Sequence, residues 1–220
     1  MKKAAVLFTV LLLLLSFTGC MSPLAKSMEL ERKLNQVTEL DLDQIFSEEE
    51  GFHYPGVSWG RSIKEVREIV GAPLDNVAGY AENGDIIYSG LGFKVSLLNV
   101  TDDQTTAAVT HEGLCYMISL MYMDDENTVR EMKLKDLYDQ VKEKLTERFG
   151  EAEETKGTHS VGNVATTTVI VDWSHTDKNG RTTHLQMATA QLAGSQEPSF
   201  FSLGFVWDLG RQTETHEETR

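Results

Sequence analysis

The sequence predicts an α+β fold: two helix-plus-three-strand repeats whose strands form a largely antiparallel sheet, with the helices on one face. Three observations predict it. Two segments carry helical spacing and stop at a glycine, in Val70-Gly71 and in Phe149-Gly150. Runs rich in strand formers follow each of them. Asn83-Gly84 and Asn179-Gly180 interrupt those runs where tight turns belong.

The chain opens on Met1-Lys2-Lys3, a short positive start, and carries no charge from Ala4 until Lys26. Its strongly apolar part ends near Phe17, short of the roughly 20 residues that a membrane-spanning helix needs. That length suits the core of a secretory leader, and small residues then precede Cys20. Phe17-Thr18-Gly19-Cys20 resembles the lipobox of bacterial lipoproteins. The resemblance implies that residues 1–19 are removed and that Cys20 carries a thioether-linked diacylglycerol. Two acyl chains hold stably where one is marginal, at about 0.8 kcal/mol per buried methylene. Residues 20–27 then form a short tether outside the cytoplasm, and the membrane is the first expected partner.

The net charge is −14, and loss of Lys2 and Lys3 with the leader makes the mature chain more acidic still. Such a balance excludes nucleic acid as a partner and gives no electrostatic hold on anionic lipid. With Cys20 lipidated, Cys115 is the one cysteine left, so no internal disulfide forms. Its neighbours Leu114 and Tyr116 place it in a strand interior, as a small apolar residue.

Residues 28–58 read as an N-terminal helical segment, since Leu30, Leu34 and Val37 suit one helix face. Residues 59–130 form the first repeat. In it Ser62 and Glu65 have the spacing of a capping box, and Ile63, Val66, Ile69 and Val70 make an apolar stripe. Gly71 suits the left-handed position after the helix, and Pro73 prevents continuation. Strands are expected over 86–89, 92–100 and 114–123. Residues 131–210 form the second repeat. Its helix spans 134–149 on Leu134, Leu137, Tyr138, Val141, Leu145 and Phe149, and strands follow over 166–174, 182–192 and 200–209. The polar tail 211–220 has no apolar residue and reads as disordered.

Gly60-Arg61-Ser62, Val66, Val70-Gly71 and Pro73 resemble the pattern of SmpA/OmlA-type lipoproteins, the small subunit of the outer-membrane protein assembly machinery. The tandem layout is similar to the β-lactamase-inhibitor-protein fold, two helix-plus-sheet units forming one continuous sheet. Together these resemblances imply a protein-binding surface.

No enzymatic constellation stands out. The six histidines form no spaced metal pair, and the sequence has no GxSxG elbow and no phosphate loop. Ser174 and His175 are adjacent, so on a strand they point to opposite faces. Asp102-Asp103 and Asp124-Asp125-Glu126 lack calcium-loop spacing and read as solvated turns. Neither cofactor nor metal is expected. A protein partner fits better: period-two alternation puts Tyr116, Ile118, Leu120 and Tyr122 on one face of a strand whose other face, with Met117 and Met121, is apolar too. Both faces then need cover. The first is the candidate partner-binding face, unless residues 28–50 lie over it. A sensor or solute-binding lipoprotein, with a small-molecule ligand between the repeats, is the alternative.

Overall fold

The computed structural model describes residues 38–210, except 73, 75, 81–83, 92–93, 99, 101–103, 124–131, 162–163 and 196. Cys20 with its leader and tether, residues 28–37, Pro73, Asn83, Asp102-Asp103, Asp124-Asp125-Glu126 and the tail from 211 lie outside the described residues.

Eight strands form one antiparallel sheet. They are β4 (Asn76–Tyr80), β5 (Ile86–Leu91), β7 (Gln104–His111), β8 (Leu114–Met123), β9 (Glu153–Val161), β10 (Val164–Thr176), β11 (Thr182–Leu192) and β12 (Phe200–Trp207). The order across the sheet is β4-β5-β7-β8-β12-β11-β10-β9, so the first four run from an edge to the centre and the last four return in reverse. Four two-residue strands stand apart: β1 (Thr38–Glu39) pairs with β6 (Val95–Ser96), and β2 (Phe46–Ser47) with β3 (Gly51–Phe52). Among the described residues there are two α-helices, α1 (Ile63–Val70) and α2 (Leu134–Phe149).

The protein is therefore mostly β, and the expected α+β pair of helix-plus-three-strand repeats is corrected to one eight-stranded sheet with two helices. The expected strand over 92–100 contributes only β6, outside the main sheet. Three strands of the main sheet lie outside the expected ones: β4, β7 and β9. Both β4 and β9 are edge strands, where a solvated face relaxes the need for alternating apolar residues.

α1 has the local structure its residues dictate. The Ser62 hydroxyl accepts from the Glu65 backbone N–H, and the Ser62 N–H donates to Glu65 Oε2 at 3.0 Å. Hydrogen bonds from Ser62, then the Arg61 charge, hold the Glu65 carboxyl below its ordinary pKa. Gly71 closes the helix at φ 70°, and its N–H returns to the Arg67 carbonyl. A Cβ at that glycine would lie 2.6 Å from Lys94 Cγ, whose side chain crosses the helix end to reach the Glu68 carbonyl at 2.9 Å. α2 has no side-chain cap at Lys133; its C-terminal glycine, Gly150, accepts from Trp173 Nε1 at 2.8 Å.

Both helices pack on the same face of the sheet. Val66 and Val70 of α1 and Leu137, Val141 and Leu145 of α2 share a core with Ala108, Ile118, Leu120, Leu185, Leu203 and Phe205. Residues 38–58 join that core through Leu40, Ile45, Phe52, Tyr54 and Val57. Here the expected N-terminal helical segment is corrected: its described part holds short strands and one 3-10 turn, Leu42–Gln44. β3 fixes it in place, because the Phe52 N–H donates to Thr183 Oγ1 at 2.9 Å and the Phe52 carbonyl accepts from Trp59 Nε1 at 3.0 Å. Gly51 permits the close approach, since a Cβ there would lie 2.1 Å from Thr183 Oγ1.

Candidate functional site

The proposed partner-binding residues do not share a face. Ile118, Leu120 and Tyr122 are 0% exposed in the core shared with α1 and α2. Tyr122 is also bound by its hydroxyl, which accepts from the Leu97 N–H at 3.1 Å and donates to Gln104 Oε1. Tyr116 belongs to the opposite face, with Met117 and Met121. A β-bulge explains the switch: Val109 pairs with Met117 and Thr110 with Cys115, which leaves Tyr116 as the extra residue. One inserted residue inverts the alternation on the N-terminal side of the bulge. Cys115 thus points to the helix face, where burial pushes its thiol up to about 12.

The candidate site moves accordingly to the helix-free face. A second apolar cluster lies there, built on Ile87, Ala107, Val109, Met117, Met121 and Phe200, with Ala188, Ala190 and Ile170 beside them. Every buried member comes from the eight-stranded sheet. Among the described residues, α1, α2 and the 38–58 segment all contribute to the other core. The helix-free face is buried as well: Ala107 and Met121 are 0% exposed, and Ile87, Val109 and Phe200 are 1% exposed. It is not uniformly oily. Ser89, Ser119 and Ser202 are buried in it, next to alanines and Gly204.

Two polar clusters stand at one end of this face, on the β7–β8 and β10–β11 hairpin ends. In the first, Asp85 is 0% exposed and takes hydrogen bonds from His111 Nδ1 at 2.7 Å and the Tyr116 hydroxyl at 2.6 Å. The bulge is what turns Tyr116 toward it. In the second, His184 Nδ1 meets both Asp172 oxygens, at 3.0 and 3.2 Å. Burial opposes charge on His184, yet the Asp172 hydrogen bond and charge, then Asp208, outweigh it and raise the imidazole above its ordinary pKa. Its contribution to stability is therefore complete below the unfolded-state pKa and is lost as pH rises through the folded one.

Ser174 is the direct cross-strand partner of His184, two residues from Asp172, so the three polar side chains share a face. His175 points the other way, edge-on to Phe46 with ring centroids 5.1 Å apart. The serine and the adjacent histidine thus diverge. What sequence reasoning missed was His184 with Asp172, twelve positions apart in the chain and adjacent only through the hairpin at Asn179-Gly180. The signal was that turn: it sets the register that brings them together. Trp173 is 4% exposed, and Trp59 and Trp207 are partly buried.

A shallow apolar cleft lies elsewhere, between the N-terminal segment and α2, lined by Leu40, Leu42, Leu98, Val141 and Leu145. It sits under the Lys144–Glu39 ion pair of 3.2 Å rather than between the two halves of the sheet. Among the described residues no group of three or more histidine, cysteine or acidic side chains is placed to hold a metal ion, and no helix is long and apolar enough to cross a membrane. No protein-family model matches the chain, and neither does any curated protein or solved structure.

Proposed function

We propose that this chain is a lipoprotein of the bacterial cell envelope, anchored outside the cytoplasm through lipid on Cys20, which binds another protein by the helix-free face of its sheet. Its role is assembly, scaffolding or inhibition, without covalent chemistry. The observation that carries the reading is the second apolar cluster, contributed by the sheet alone. A sheet with two apolar faces must bury both, and the helices serve only one. Met117 and Met121 are buried at 5% and 0% exposure, so a partner would meet the partly exposed members of the cluster, Met123, Val206 and Trp207.

The tether is tested by labelling cells with a palmitate analogue. The wild-type chain is expected to take up label and to fractionate with membranes, and Cys20→Ser to do neither. Full labelling of Cys20→Ser would falsify the anchor.

A further inference from the structure

The cleft beside α2 has a buried floor and an open mouth. Val141, Leu145 and Leu203 lie on the floor, at 5%, 0% and 0% exposure. Leu42 and Leu98 stand half-buried at the rim, next to Glu39 and Lys144, which are exposed and paired to each other at 3.2 Å. Leu98 is held there against its backbone preference. Its φ is 51°, in the left-handed region that a residue with a Cβ rarely enters. The turn around it is fixed, since the Leu97 N–H donates to the Tyr122 hydroxyl at 3.1 Å and the Val100 N–H to the Leu97 carbonyl at 2.9 Å. Backbone strain of this kind collects where a fold clamps something.

The size of the space decides what it can take. It amounts to about 60 Å³. A cavity of about 150 Å³ holds a benzene ring, and small-molecule pockets run to about 300–1,000 Å³. A metabolite is therefore too large, and the only charged groups of the lining, Glu39 and Lys144, already satisfy each other. Water would need two to four polar partners and does not find them on leucine and valine. A space this small and this apolar suits one aliphatic side chain.

The chain supplies such a side chain close by. Residues 1–37 lie outside the described residues, Thr38 donates its N–H to the Lys94 carbonyl at 2.9 Å, and the next residue, Glu39, lines the cleft. Leu30, Leu34 and Val37 have helical spacing in the sequence. Leu34 comes four residues before Thr38, within about 14 Å of it at full extension. On so short a connection its effective concentration at the cleft is in the millimolar range, which a leucine of another protein does not reach.

We propose that Leu34 occupies this cleft, so that residues 28–37 close over it and the body of the protein begins before Thr38. With Cys20 as the anchor, the free tether then ends near Leu34; the seat itself does not depend on the lipid.

The test uses the full chain with paired cysteines under a mild oxidant. Leu34→Cys with Leu98→Cys is expected to form an intramolecular disulfide at least tenfold faster than Gln36→Cys with Leu98→Cys, a control with nearly the same span of chain whose position 36 lies off the Leu30, Leu34 and Val37 stripe. Cys115 is 1% exposed and stays out of the reaction. In the otherwise unchanged chain, Leu34→Asp should lower the urea midpoint and Gln36→Asp should leave it in place, which reads the seat without altering the cleft. Equal oxidation rates for the two pairs, or an unmoved midpoint in Leu34→Asp, would overturn the seat. So would a disulfide found only between copies, which gives the cleft to a second molecule, or slowing of the reaction by a spin-labelled fatty acid, which gives it to an acyl chain. Cys20→Ser should keep the order of the two rates. Loss of that order in Cys20→Ser alone would mean that the membrane, not the cleft, gathers the segment. The palmitate label reads the anchor separately, so either reading can fail without the other.

Discussion

Phe52→Ala is expected to lower the unfolding free energy by about 3–5 kcal/mol, the usual range for deleting a buried phenylalanine ring. Phe52 is 4% exposed, and its ring meets Phe46 at 5.0 Å and Phe149 at 5.2 Å between centroids. Those contacts join three parts of the chain: the N-terminal segment, the last turn of α2 and, through the backbone bond to Thr183, strand β11. The ring is thus a keystone of the helix-side core rather than decoration on a detachable arm. Urea unfolding measures it: the midpoint should fall with an unchanged denaturant slope. A loss below about 1 kcal/mol would mean that residues 38–58 lie loosely on the sheet and that its helix face is less well covered than described.

Asp85→Ala is expected to cost a similar amount, about 3–5 kcal/mol, for a different reason. A hydrogen bond to a charged group contributes about 1.5–3 kcal/mol, and Asp85 accepts two of them. Removing the carboxylate takes an acceptor from both His111 and Tyr116 at a fully buried position. Tyr116→Phe deletes one bond and leaves Asp85 with His111, so it should cost about half as much. The same urea series compares the two. Equal losses would show that the Tyr116 hydroxyl bond alone carries the effect and that the bond to His111 adds nothing.

The readable parts of this fold are those whose geometry is local. Ser62, Glu65 and Gly71 specify α1 at both ends because a capping box and a left-handed glycine act within a few residues. α2 is equally legible from its spacing, and β12 from the alternation of Phe201, Leu203 and Phe205. The edge strands were not. β4 reads Asn-Val-Ala-Gly-Tyr and carries a bulge between Val77 and Gly79, while β9 begins with Glu153 and Glu154 and contains Lys156. Those charges and irregularities protect an edge from further pairing, and they also hide it from a period-two search. The two expected sets of three strands supply five of the eight; β4, β7 and β9 complete the sheet, and residues 92–100 fall outside it.

The candidate site failed at one residue. Strict alternation puts Tyr116 with Ile118, Leu120 and Tyr122, and a single bulge moves it to the far side. Nothing in Leu114-Cys115-Tyr116-Met117 marks that insertion, because it is set by pairing with Val109 and Thr110 on another strand. The expectation of two apolar faces did not depend on the register, since both sides of β8 are rich in large apolar residues. What required the structure was the assignment of cover: residues 38–58 join the helices on one face, while the second face is buried without them.

That assignment is open to direct measurement in intact cells. A photo-crosslinking amino acid placed at Gln186, on the helix-free face, should yield one discrete adduct with another protein, and Cys20→Ser should abolish it. The same amino acid at Glu143, on the exposed side of α2, should yield none. An adduct from position 143 and silence from 186 would put the partner on the helices and contradict the account.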